Sequence, residues 1–154
     1  MLVYVDTSVF GGAFDPEFDR ASGAFFERVR EGAFEAVVSP VVLDELKRAP
    51  APVRQFFHEL EPSLVRVDPG EAANDLQEAY LEAQVVSRKW EADALHVAAA
   101  TVTGCRAIVS WNFKHIVNFR RIPLYNRVNQ MAGYGPIAIH SPQEVIFDGD
   151  EEEL

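Results

Sequence analysis

Residues 1–12 read MLVYVDTSVFGG, and the architecture depends on how that stretch is parsed. Leu2, Val3, Tyr4 and Val5 make a short apolar run that closes on Asp6, Thr7 and Ser8. Such a run, bounded by turn-formers, fits a central strand of a parallel sheet with both faces buried. Asp6 then stands at the carboxyl end of the strand, the edge where open α/β sheets bind ligands. The competing reading makes Asp6 the cap of a turn, a common task for Asp before Thr and Ser.

Working outward, FDRASGAFFERVREG (residues 18–32) carries apolar residues at helical spacing and ends on Gly32. FEAVVSP (34–40) reads as a second strand. Pro40 follows Ser39 as a first-turn proline follows a cap, so PVVLDELKR starts a helix, and APAPVRQFFHEL opens another after a proline-rich break. SLVRVD is extended, and PGEAANDLQEAYLEAQVV is a long helix with an acidic first turn, which its dipole favours. EADALHVAAATVTG is apolar on nearly every face and closes on Gly104, which predicts a deeply buried helix. CRAIVSW and PIAIHS supply further strands. Helices and strands alternate, which predicts a three-layer α/β/α sandwich with a mostly parallel central sheet and right-handed crossovers.

Length and composition agree with one domain. The chain has 154 residues, 48% of them hydrophobic, within the size at which a single core closes. The expected division is a domain over residues 1–147 and an acidic tail over 148–154, where Asp148, Asp150, Glu151, Glu152 and Glu153 lie without apolar pattern. No run approaches the ~18 apolar residues of a membrane span, and the N-terminus lacks the regions of a signal peptide, so a cytoplasmic location is expected. The one cysteine, Cys105, reads as a small buried hydrophobe.

A net charge of -10 argues against a protein that coats nucleic acid. Its distribution is uneven: between Asp93 and Glu144 there is no acid, while Arg106, Lys114, Arg120, Arg121 and Arg127 fall in that interval. If these cations share a face, that face suits a phosphate backbone.

The acids follow the same scheme. Asp6 ends the first strand, Asp44 and Glu45 lie one turn into the helix after the second, and Asn112 follows CRAIVSW. In a parallel sheet these positions share one edge. Glu91 and Asp93 open the buried helix that precedes CRAIVSW, so their convergence requires a loop that brings that helix start to the same edge. Three carboxylates in one cleft repel strongly, ~4 kcal/mol per pair at 4 Å and an effective dielectric near 20. A divalent cation removes the conflict; oxygen ligands suit Mg²⁺ or Mn²⁺, and no Cys pair or HExxH argues for zinc. Such an ion promotes phosphodiester hydrolysis.

YVDTSVF, VVLDEL, ADALHVAAA and VSWNFKHI, in that order from Leu2 towards the SPQEVI segment, resemble the PIN-domain ribonucleases, and especially the VapC-type toxins of toxin–antitoxin pairs. The resemblance implies a metal-dependent endoribonuclease, usually dimeric, that acts on RNA and is blocked by an antitoxin protein. It selects Glu45 over Asp44 and implies Asp6, Glu45 and Asp93 as metal ligands, with Mg²⁺ or Mn²⁺ as cofactor. Many members carry a fourth acid after the last buried strand; here that place offers Asn112 and no carboxylate. The departure favours one tightly held ion and raises an alternative, a weak or inactive PIN domain that binds RNA or protein.

The remaining expectations concern the surroundings. Asn112, with Thr7 and Ser8, is expected to position water. Lys114, Arg120, Arg121 and Arg127 are expected to grip RNA, with Phe119 and Tyr125 stacking on bases, against the plainer reading of a solvated helix. His96, one turn from Asp93, is expected to be a core histidine bonded to backbone rather than a general base. His115 is expected at the surface or on substrate. Apolar positions in 20–60 are expected to pack the core, the alternatives being a dimer face or an antitoxin groove. A haloacid-dehalogenase-like or receiver aspartate is disfavoured because Ser8 stands where such a phosphatase has its second Asp.

Overall fold

The computed structural model describes residues 1–146; the acidic tail lies outside them. Five strands, β1 (Leu2–Val5), β2 (Glu35–Val38), β3 (Leu64–Arg66), β4 (Ala107–Val109) and β5 (Ala138–His140), form one sheet in the order β3-β2-β1-β4-β5. Every pairing is parallel, with Tyr4 opposite Val37 on one side and Ile108 on the other. The expected mostly parallel sheet is therefore parallel throughout. β1 and β4 flank the point where the strand order reverses, so a crevice opens beyond their carboxyl ends.

Among the described residues eight α-helices surround the sheet: α1 (Thr7–Gly12), α2 (Asp19–Arg30), α3 (Pro40–Leu46), α4 (Ala51–Leu60), α5 (Gly70–Glu82), α6 (Glu91–Val102), α7 (Arg121–Met131) and, after the last strand, α8 (Pro142–Val145). Mutual contacts group α1, α2 and α4 in one helical layer and α5, α6 and α7 in another. Contacts of α2 with α8, and of α5 with α6 and α7, complete the two helical layers. α1 was not foreseen: Thr7 and Ser8 read as turn residues, yet they open a helix whose Val9, Phe10 and Gly12 are buried.

The core follows the apolar pattern. Val3, Tyr4 and Val5 are buried, as are Phe25, Phe26, Val53, Phe57 and Leu60, so the apolar positions of 20–60 largely pack the interior. α6 is buried from Ala94 onward apart from Leu95 and the last residue, and its small side chains let α5 lie close against it. It ends in a Schellman motif: Gly104, at φ +76°, donates to Thr101 O while Cys105 donates to Ala100 O. Gly32 closes α2 the same way, at φ +84°. Cys105 is buried, as expected.

Candidate metal centre

Each central strand delivers a polar residue to the crevice. β1 ends at Asp6, whose backbone N–H donates to Val109 O (3.0 Å) and so locks it against β4. The hydroxyls of Ser8 and Ser110 both donate to Asp6 Oδ2, each at 2.7 Å. In turn Ser8 Oγ accepts from Trp111 N (2.9 Å) and Ser110 Oγ from Asn112 N (2.9 Å). With Oδ2 occupied twice, Oδ1 is left facing His96 Nε2 at 3.3 Å.

Glu45 arrives from α3. Its Oε1 accepts from Thr7 Oγ1 (2.6 Å) and from His96 Nε2 (2.5 Å). Asp44 points away, exposed and paired with Lys47 (3.4 Å), because adjacent helix residues diverge by about 100°. One oxygen of Asp6, one of Glu45 and a ring nitrogen of His96 lie within 4.8 Å of one another. Burial works to raise the Glu45 carboxyl, but the hydrogen bond from His96, its charge and the Thr7 hydroxyl hold it below the usual range. Burial disfavours the His96 imidazolium; Asp6 and then Glu45 outweigh that and raise its pKa.

His96 corrects the expectation from sequence. It is a core residue, 1% exposed, yet its partners are side chains. Nε2 faces the two carboxylates, and Nδ1 lies 2.9 Å from the Tyr4 hydroxyl, itself 2.7 Å from Ser39 Oγ. That second contact fixes the ring, as the outer partner of a metal-ligating histidine does. The sequence signal is slight: His96 lies three residues after Asp93 on one helix, and Tyr4 shares a strand face with Asp6.

A sequence model of the PIN domain matches residues 3–116, a span holding every one of these side chains. The chain belongs to the PIN domain family. The solved structure of VapBC2 from Rickettsia felis, bound to a DNA fragment from its promoter, is similar at TM-score 0.60 and 15% identity, over 92% of this chain and 98% of that one. FitAcB from Neisseria gonorrhoeae is similar at TM-score 0.58 and 12% identity, over 93% and 99%. At these identities the likeness is one of fold. No curated protein matches.

Within this PIN domain Asp93 lies beside the cluster rather than in it. Its Oδ2 is 3.1 Å from His115 Nδ1, and the Asn112 side chain also hydrogen-bonds it. Burial raises the Asp93 carboxyl, the Asn112 hydrogen bond opposes this, and the Asp6 charge raises it further. Asp6 is thus near enough to act on Asp93 through its charge. Glu91 is exposed on the first turn of α6.

Two other expectations change, those for His115 and Tyr125. His115 is buried rather than superficial, stacked on Trp90 with centroids 4.4 Å apart. Tyr125 is fully buried and donates to His115 O (2.7 Å), so it cannot stack on a base. Thr7 and Ser8 hydrogen-bond carboxylates, while Asn112 turns towards Asp93 and accepts from His115 N (2.9 Å). The cations come from separate parts of the fold. Lys114, Arg120 and Arg121 lie between β4 and the start of α7, Arg106 precedes β4 at the opposite edge, and Arg127 sits about 9 Å along α7. Phe119 is 92% exposed. No helix among the described residues is long and apolar enough to cross a membrane.

Proposed function

We propose that this PIN domain is a divalent-metal-dependent endoribonuclease, the toxin of a toxin–antitoxin pair. The observation that carries the reading is the convergence of Asp6, Glu45 and His96 within 4.8 Å at the switch point of a parallel sheet. The donor set fits a cation: two carboxylates whose other contacts are hydroxyls, and an imidazole held from behind by Tyr4. A nitrogen among the oxygens favours Mn²⁺ over Mg²⁺. Asp93 is the third carboxylate ligand, presented by Asn112 and His115. A divalent cation there supplies positive charge against a phosphoryl oxygen and lowers the pKa of water.

The chain's own residues do the rest. Ser8 and Ser110 fix the rotation of the Asp6 carboxylate, and Thr7 fixes Glu45. Lys114, Arg120 and Arg121 follow the crevice strand and meet RNA phosphates, while Arg127 contacts RNA only along a longer path. A protein antitoxin and a homodimer belong to this reading; the similar VapBC2 structure, a complex on promoter DNA, supports the two-component setting. A binding module without cleavage is the second reading, favoured by the histidine and amide that surround Asp93.

The test is cleavage of single-stranded RNA with Mn²⁺ or Mg²⁺ against EDTA, beside an Asp6→Asn control. Metal-dependent cleavage that Asp6→Asn abolishes is expected. Equal cleavage by the variant overturns the nuclease reading, and RNA binding without cleavage by the wild type selects the second.

A further inference from the structure

A cleft of about 600 Å³ opens between the start of α2, the segment after β4, and α8, within the ~300–1,000 Å³ of ligand clefts. Its wall is aromatic. Phe18 and Trp111 stack at 4.2 Å with an interplanar angle of 19°, and Phe113 stands 6.5 and 6.1 Å from them. Trp111 is held rigidly, its indole N–H donating to Ser22 Oγ (2.8 Å). Phe113 is 49% exposed, so packing against Phe18 and Trp111 leaves about half of this large ring in solvent. Arg20, Gln143 and Glu17 complete the rim.

This wall is continuous with the candidate metal centre. Trp111, Asn112 and Phe113 are consecutive; the first and third line the cleft, while the Asn112 side chain between them turns to Asp93. Adjacent residues of one segment therefore present the aromatic side and the acidic side. The Trp111 backbone N–H donates to Ser8 Oγ, which donates to Asp6.

We propose that this cleft is a nucleobase subsite that takes an unpaired base of the RNA strand whose phosphate lies at the acidic cluster. The proposal rests on RNA being the ligand of the crevice. Preorganised aromatic faces stack on any base with little ordering cost, and arginine adds a cation–π and stacking surface. On the rim Glu17 and Gln143 stand beside Arg20, and a carboxylate and an amide together accept from and donate to the polar edge of a base.

The experiment measures binding and cleavage of a 12-nucleotide oligouridylate and a 12-nucleotide oligoadenylate by wild type, Phe113→Ala, Phe113→Trp and Met131→Ala, the last altering an exposed residue at the far end of α7. Phe113→Ala is expected to raise KM and Kd about 5- to 150-fold, the loss of one base–aromatic stack, with kcat within about threefold. Phe113→Trp is expected to restore binding, and Met131→Ala to match wild type. Unchanged KM and Kd in Phe113→Ala overturn the subsite, and if self-association or protein binding falls instead, the cleft is a protein interface. If wild type binds but does not cleave, a loss of Kd in Phe113→Ala still supports the subsite while the nuclease reading fails. If wild type does neither, both fall.

Discussion

Gly12→Ala is a small change with a large expected effect. A Cβ at position 12 would lie 2.6 Å from Trp111 Nε1, 2.7 Å from Ser22 Oγ and 2.8 Å from Trp111 Cδ1. The indole cannot retreat, because Phe18 stacks on it at 4.2 Å and Ser22 holds its N–H. Displacing it forfeits that hydrogen bond, ~1–3 kcal/mol for a buried group left unpaired. Overpacking adds ~1–3 kcal/mol. The sum, about 2–6 kcal/mol, lowers Tm by about 4–24 °C in a chain of this size. Gly11 is the internal control: it lies in the same helix with nothing within 4 Å of its Cβ position, so Gly11→Ala is expected to be neutral or to stabilise by ~0.5–1 kcal/mol. Thermal unfolding by circular dichroism reads both variants. Because the backbone N–H of the same Trp111 holds Ser8 on Asp6, calorimetric titration with Mn²⁺ should show weaker binding in Gly12→Ala and wild-type binding in Gly11→Ala. Equal Tm for the two variants would refute the packing described for α1, α2 and Trp111.

Tyr4→Phe removes the hydroxyl behind His96 and should cost ~1–3 kcal/mol in chemical denaturation and weaken Mn²⁺ binding about 10–100-fold by calorimetry; unchanged metal affinity would mean His96 is not a ligand. Saturating Mn²⁺ should raise the Tm of wild type but leave that of Asp6→Asn unmoved, since only a bound ligand stabilises the native state. Tyr80→Phe breaks a buried network in which Tyr80 donates to Asn129 and Asn129 to Thr101 (3.3 Å); a loss of ~1–3 kcal/mol with RNA cleavage per folded molecule unchanged is expected. Burial works to raise the Glu144 carboxyl, but the Ser141 backbone hydrogen bond and His140 hold it below 4.5. Its contribution is therefore present above that ordinary value and lost as pH falls through the lower folded value, so the protection factors of the α8 amides, referred to the intrinsic exchange rate at each pH, should fall in acid, and less so in Glu144→Gln.

The sheet was legible because burial on both faces leaves a plain mark, short apolar runs closed by polar residues, at residues 2–5, 35–38 and 107–109. α6 was legible for the same reason. α1 was not, since a six-residue helix opened by Thr and Ser resembles a turn until Val9 and Phe10 find a core. Asp6 stood out by its place at a strand end, whereas Glu45 needed a family resemblance to be told from Asp44. His96, Ser110 and Tyr4 escaped because each is an ordinary core residue in sequence, and their use depends on partners 35 to 104 residues away.

The sequence by itself determined the alternation of helices and strands and hence the edge at which polar residues gather, because periodicity and strand ends are local properties. Tertiary structure alone decided which of those residues share a position. It put His96, rather than Asp93, between Asp6 and Glu45, and it paired Asp93 with His115. The physical reason is that the rotation of α6 about its axis is set by how it packs against α5, a contact that no local pattern in either helix encodes.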